Sequence, residues 1–221
     1  MPLSHTGTAF LFDMDGTLVD STAVVESLWR DFSQQHNLDF VELIDYAHGR
    51  QTLDTLHRFM PHSPHATLVE LAQNLEAQEQ VRSDGIVAVD GAYDFLTAVN
   101  EHNIPHALVT SASRDLAIAR MSIAGLPLPP VLVTSETTDL GKPHPAPYLE
   151  AARQLSVEAS TCIAFEDAEA GLASAIASGA ATIIVGSHES HSTAHLGRIT
   201  SYEHTTLRKD GAVITLSLTS L

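Results

Sequence analysis

The feature that most limits the fold is a series of short, largely apolar runs separated by sequence of helical period. Ala9 to Phe12, His106 to Thr110, Val131 to Thr134, Thr161 to Phe165 and Thr182 to Val185 are too short for helices and read as buried strands. Helical patterns run through Phe95, Leu96 and Val99, through Leu116 and Ile123, after Pro147, and from Gly171 to Ser178. Strands buried on both faces and joined by helices predict an α/β fold with a doubly wound parallel sheet and right-handed crossovers. Residues 21–84 break this grammar. Val25, Leu28, Trp29 and Phe32 share one helical face, with Asp20 or Ser21 as N-cap; Val41, Leu43 and Ile44 mark a second helix, and Leu53, Leu56 and Met60 a third. Ser63-Pro64 reads as an N-cap with proline at the first helical position, ahead of Leu68, Leu71 and Leu75. No strand is expected there, so an all-helical insertion (21–84) interrupts a core made of 1–20 and 85–221. Near the end, Lys209-Asp210-Gly211 is a hairpin turn signal and Ala212 to Leu218 alternates, which predicts a short C-terminal β-hairpin added antiparallel at the sheet edge.

The first apolar run ends in Asp13-Met14-Asp15-Gly16-Thr17. Carboxylates at the carboxyl end of a central parallel strand lie where open α/β sheets bind ligands. Continuation of the strand to Asp15 would put both acids on one face. Two acids so close repel when both are ionised, so the pair wants a divalent cation or a proton. Equally, Asp, Gly and Thr are ordinary strand-ending turn formers. The other strand ends decide between these. Thr110-Ser111-Ala112-Ser113 offers hydroxyl and backbone N–H donors to an anion, although such residues are also plain N-caps. Gly141-Lys142-Pro143 holds a cation in a rigid loop, and Thr161 to Phe165 ends in Glu166-Asp167, further oxygen ligands for a hard metal ion.

The net charge of −16, from 11 basic and 27 acidic residues, repels nucleic acid and anionic membrane, and any anion site must supply its own local positive charge. Cys162 stands alone in an apolar segment, which rules out a disulfide framework and reads as a core residue. The uncharged stretch Ala170 to His188 is divided by glycines into a helix and a strand, and it is not a membrane span. No signal peptide is visible, so a cytoplasmic enzyme is expected, a monomer or small homo-oligomer.

In this order on successive strands, Asp13-x-Asp15-Gly16-Thr17, Ser111, Lys142 and Glu166-Asp167 resemble the four motifs of the haloacid dehalogenase-like (HAD) phosphohydrolases. The resemblance covers almost the whole chain and implies a Rossmann-like HAD core with a helical C1 cap at 21–84. At finer grain, Trp29-Arg30-Asp31-Phe32, His48-Gly49-Arg50, Gly141 to Pro145 with Tyr148-Leu149, and Phe165 to Ala168 with Gly171 resemble the bacterial sugar and hexitol phosphatase branch and the glycerol-3-phosphatase and 2-deoxyglucose-6-phosphatase group. The resemblance implies an Mg²⁺-dependent phosphomonoester hydrolase of small sugar or polyol phosphates. In that scheme Asp13 is the nucleophile and Asp15 the general acid and base. Thr17 positions Asp15, and Lys142 neutralises charge. Ser111 with Gly16, Ala112 and loop N–H groups holds phosphoryl oxygens. Mg²⁺ is bound by Asp13, the Asp15 backbone carbonyl and Asp167, with Glu166 in or near its shell. Glu26, His48, Arg50 and Gln51 of the cap are placed to read substrate hydroxyls.

Two other readings share this core. A β-phosphoglucomutase-like phosphotransferase is disfavoured: that group's pattern has Arg three residues after the cap Gly, where this chain has Thr52, with Arg50 in a neighbouring position. A non-catalytic HAD ligand-binding protein is disfavoured by the completeness of the reactive set. His188, His191 and His195 are spaced for one helical face but have no completing cysteine or carboxylate, so they are expected at the surface rather than on zinc.

Overall fold

The computed structural model describes residues 3–219. β1 (Leu3–Gly7) passes through Thr8 into β2 (Ala9–Phe12), and β3 (Val19–Asp20) follows a tight loop. Four helices come next, α1 (Thr22–His36), α2 (Phe40–Ala47), α3 (Thr52–Phe59) and α4 (His65–Val81), before β4 (Val87–Ala88) returns antiparallel to β3. The chain then alternates through α5 (Ala92–Glu101), β5 (His106–Val109), α6 (Arg114–Ile123), β6 (Val131–Val133) and α7 (Ala146–Gln154). It continues through β7 (Cys162–Glu166), α8 (Glu169–Ser178), β8 (Ala181–Val185) and β9 (Gly197–Ile199), and closes with β10 (Thr205–Asp210) and β11 (Val213–Leu218).

The main sheet has six parallel strands in the order β6-β5-β2-β7-β8-β9, so β2 is central. Its residues alternate between two layers, as strand geometry requires. Phe10, Phe12 and Phe165 pack with Phe95 of α5 and Met121 of α6, while Leu11, Ala107 and Ala164 pack with Tyr148 of α7 and Ala175 of α8. The sheet is therefore doubly wound, and Phe12 stacked on Phe165 at 5.0 Å fixes β2 against β7 beneath the loop they share. The insertion has its own core of Trp29, Phe32, Leu43, Leu56, Leu68 and Leu75. Among the described residues no helix is long and apolar enough to cross a membrane.

Some sequence expectations need correction. The C-terminal hairpin does not extend the main sheet: β11 lies between β1 and β10 in a separate three-stranded antiparallel sheet, and Ile214, Leu216 and Leu218 cover the Phe10 layer. β1 carries only one fully buried residue and has no apolar run to announce it. The segment holding His188, His191 and His195 forms turns instead of a helix, and His188 Nε2 sits 2.7 Å from Glu169 Oε2. Pro64 has ψ 141° and takes the N-cap position of α4 itself, so the helix starts at His65, one residue later in the chain than the sequence suggested.

Candidate active site

The site forms where β2, β5 and β7 end. Asp13 N–H still donates to the Phe165 carbonyl at 3.0 Å, so its carboxyl leaves the carboxyl edge of the sheet in a fixed direction. The chain then turns at once: the N–H groups of Leu18 and Val19 both donate to the Met14 carbonyl, and Gly16 takes φ 81°. Asp15 therefore does not prolong β2, and the turn, not a strand face, brings its carboxyl to the site. At Gly16 a Cβ would overlap the Asp167 carboxylate, and at Gly171 the Glu166 carboxylate, so glycine is required at both for these acids to fit.

Lys142 is 1% exposed, and its ammonium donates to Asp13 Oδ1 and to Glu166 Oε1, both at 2.6 Å. Burial alone would lower its pKa, but the two carboxylates outweigh that and hold it above its ordinary value and charged. Tyr148 OH donates to the same Glu166 Oε1 at 2.6 Å, and Glu166 Oε2 accepts from the Asp167 N–H at 3.2 Å. Glu166 is thus fully engaged in holding Lys142 and the loop. Asp13 is raised to about 7, by burial first and then by repulsion from Glu166, with Lys142 opposing. Burial, then Asp13 and Glu166, also raise Asp167 well above the carboxylate range. Carboxylates that resist ionisation beside one another lack positive charge. Ligand oxygens of Asp13, Glu166 and Asp167 all lie within 4.8 Å of one another, a hard oxygen donor set that fits a cation such as Mg²⁺.

Asp15 is held at both oxygens: Ser21 Oγ donates to Oδ1 at 2.6 Å and Arg120 Nη1 to Oδ2 at 2.7 Å. Thr17, expected to position it, does not; its hydroxyl is buried with no hydrogen-bond partner. Ser111 Oγ donates to the Gly49 carbonyl of the insertion at 2.9 Å, and the Ala112 N–H donates to Thr110 Oγ1 at 3.1 Å. Both donors border a cavity of about 100 Å³ between core and insertion, with Asp13, Asp15 and Asp167 at its floor.

Of the four cap positions expected to face a substrate, two line the cavity. His48 and Arg50 line the cavity, and the Arg50 guanidinium lies over the Tyr46 ring at 4.3 Å. Glu26 lies outside it, facing solvent beside Arg30. Gln51 also lies outside, packed on Gly141 with its Nε2 donating to the Ser135 carbonyl at 3.5 Å, where it seats the insertion on the core. In their place the cavity is lined by Trp29, Thr52, Glu76, Glu79 and Arg120. Glu79 is 8% exposed and accepts from Arg120 Nη2 at 2.6 Å, and burial raises it to about 7 against the pull of Arg120. Arg120 and Glu79 do have a sequence signal: each occupies the apolar stripe of its helix, Arg120 with Leu116, Ala117 and Met121, Glu79 with Leu68, Ala72 and Leu75.

A doubly wound sheet interrupted by a helical insertion, with carboxylates and a buried lysine at the strand ends, defines a Rossmann-like α/β core with a covered acidic site. The sequence model of the haloacid dehalogenase-like hydrolases matches residues 8–179, and the chain belongs to that family. It is 42% identical over 176 residues to hexitol phosphatase A of Escherichia coli, covering 80% of this chain and 82% of that protein. It is 33% identical over 190 residues to glycerol-1-phosphate phosphohydrolase 2 of Saccharomyces cerevisiae, covering 80% and 74%. A β-phosphoglucomutase structure from Clostridium difficile shares the fold, with a TM-score of 0.73 at 23% identity over 88% of this chain and 91% of that one.

Proposed function

We propose that the protein is a divalent-metal-dependent phosphomonoesterase acting on small sugar or polyol phosphates through an aspartyl-phosphate on Asp13. The observation that carries this reading is a buried carboxyl, Asp13, hydrogen-bonded to a buried ammonium beside Asp167, at the floor of a small cavity that the insertion covers. The named activities of the Escherichia coli and yeast relatives support the substrate class. Asp13, Asp167 and the Asp15 carbonyl would hold Mg²⁺, which would supply positive charge against the phosphoryl oxygens.

In the first step an Asp13 carboxylate oxygen bonds to phosphorus as the bond to the sugar oxygen breaks, and Asp15 gives that oxygen a proton. In the second step Asp15 takes a proton from water as the water oxygen bonds to phosphorus and the Asp13–phosphorus bond breaks. Lys142 stabilises charge on Asp13 and on the phosphoryl group throughout. Ser111 and the Ala112 N–H would receive phosphoryl oxygens, exchanging their contacts with Gly49 and Thr110 for the ligand. The insertion excludes water during transfer and must lift to release product.

The test is phosphate release from a panel of polyol, hexose, deoxyhexose, glycerol and nucleoside monophosphates, with Mg²⁺ and with chelator. Chelator-sensitive release from polyol or hexose phosphates is expected. Interconversion of hexose 1- and 6-phosphates on addition of a bisphosphate, without release, would overturn the reading in favour of a mutase. That outcome is disfavoured by Glu76 and Glu79, carboxylates on the cavity wall that offset the positive charge Arg50 and Arg120 would offer a second phosphate.

Metal binding should also be visible without turnover. Asp13 must lose its proton to ligate, and its pKa lies at about 7, so cation and proton compete there. Mg²⁺ should raise the thermal midpoint more at pH 8 than at pH 5.5, and Asp167→Asn should remove most of the rise. An equal rise at both pH values, or an undiminished one in the variant, would place the cation elsewhere.

A further inference from the structure

Arg120 does more than its helix requires. Its side chain reaches from the buried face of α6, 3% exposed, and forms a fork between two carboxylates from different parts of the chain. Nη1 donates to Asp15 of the core loop at 2.7 Å and Nη2 to Glu79 of α4 at 2.6 Å, while Nε is buried with no partner. Burying the guanidinium and the Glu79 carboxylate beside a part-exposed Asp15 is a poor device for stability, because desolvation offsets most of the Coulombic gain. The arrangement needs another reason.

The other oxygen of Asp15 supplies it. Oδ1 accepts from Ser21, the residue that opens α1, whereas Glu79 lies in the last turn of α4, next to the segment returning to the core. Both contacts on the Asp15 carboxyl therefore lead to the two ends of the insertion, one directly and one through Arg120. A guanidinium can serve this purpose because its donors diverge in one rigid plane, so fixing one carboxylate orients the donor offered to the other. If the insertion lifts, Glu79 withdraws and the fork loses one anchor.

Resting on the phosphatase reading above, we propose that Arg120 is a positioning residue. It aligns the Asp15 carboxyl for proton transfer, and Glu79 sets it only while the insertion lies on the core. The acid–base group is then correctly aimed in the closed, water-excluding state and loosened in the open one. This confines efficient proton transfer to a covered substrate. A misplacement of about 1 Å in such a group lowers a rate by about 10²-fold, so a device that removes it has a kinetic value.

The test compares two substrates in rapid-quench single turnovers with Mg²⁺: a polyol monophosphate found active in the panel, whose alkoxide must be protonated to leave, and p-nitrophenyl phosphate, whose leaving group needs no proton. Arg120→Met should slow cleavage of the polyol phosphate by about 10²-fold with KM within about twofold, and should leave the first-turnover burst of nitrophenolate within about threefold of wild type. Because this variant leaves Glu79 buried and unpaired, the double variant Arg120→Met/Glu79→Leu is measured beside it. The double variant should regain thermal stability but not the rate. Arg120→Lys, which keeps the charge and loses the planar fork, should recover the rate only in part.

Equal slowing of both substrates, or wild-type polyol phosphate cleavage in the double variant, would show a purely structural role and overturn the proposal. No phosphate release by wild type from any monophosphate overturns the phosphatase reading and this proposal with it. The two failures are thus told apart by the wild-type control.

Discussion

Asp13→Asn should abolish turnover while leaving the protein as stable as wild type or more so. Loss of a group that forms the covalent intermediate is expected to lower kcat by roughly 10⁴-fold or more, because the remaining donors can bind a phosphate but cannot split the displacement into two steps. The stability effect has the opposite direction for a physical reason. Burial and Glu166 raise the Asp13 pKa from 3.8 to about 7, so its ionised form is disfavoured in the folded protein relative to the unfolded chain. A carboxyl with a raised folded-state pKa contributes stability that is present below the unfolded value and lost as pH rises through the folded value. In the metal-free protein, stability should therefore fall as pH rises from about 4 to about 7, and Asp13→Asn should remove this part of the slope. The thermal midpoint of the variant should exceed that of wild type by more at pH 8 than at pH 5. Thermal scans in chelator and steady-state phosphate release check the two halves separately. Retained turnover would remove Asp13 from the nucleophile's role, and a variant destabilised at pH 8 would show that its charge supports the fold.

The parts of this molecule that were legible in the sequence are those whose signal is local. Phe10-Leu11-Phe12 and Cys162 to Phe165 show their strands because both faces are buried and no polar residue interrupts the run. The candidate site residues were legible because each lies at or just past the end of such a run: Asp13 after β2, Ser111 two residues beyond β5, Glu166 and Asp167 at the end of β7. β1 was hidden because Leu-Ser-His-Thr-Gly has no apolar periodicity and becomes a strand only through pairing with β11, more than two hundred residues away. β3 and β4 have two residues each, below any periodicity. The histidines at 188, 191 and 195 had helical spacing without a helix, since spacing says nothing where no apolar face drives burial. Thr17 was assigned to Asp15 through the family resemblance, but its hydroxyl is buried with no hydrogen-bond partner, and the partners of Asp15 are Ser21 and Arg120. Cap residues were the least legible. Which of Glu26, His48, Arg50 and Gln51 meets the cavity depends on how the insertion rests on the core, and no local pattern encodes that.

Lys142→Met should damage both function and fold, and the two losses should separate with pH. Met matches the length of the side chain and fills the space of a residue that is 1% exposed, so no large cavity opens. What disappears is the one cation between Asp13 Oδ1 and Glu166 Oε1, each 2.6 Å away. Removing one partner of a buried ion pair leaves an uncompensated charge and costs ~3–5 kcal/mol. Without Lys142 the repulsion between the two carboxyls is relieved only by uptake of a proton, so the folded-state pKa of Asp13 moves further upward. The linkage sign is the same as for wild-type Asp13: stability is present at low pH and lost as pH rises. The deficit relative to wild type should therefore be largest near pH 8 and shrink toward pH 5. Turnover should not follow this recovery, because protonated Asp13 is no nucleophile and the charge that Lys142 offered the phosphoryl group is absent at every pH. Loss of such a preorganised donor lowers kcat by roughly 10²–10³-fold, and loss of nucleophile ionisation adds to it. Lys142→Arg should not restore activity, since a planar guanidinium cannot enter a site shaped around an ammonium that also touches Tyr148 through Glu166. Urea unfolding across pH, with phosphate release measured at each point, reads both quantities on the same samples. A pH-independent deficit would mean that Lys142 acts by packing, and activity recovering in step with stability would make its catalytic effect a consequence of folding alone.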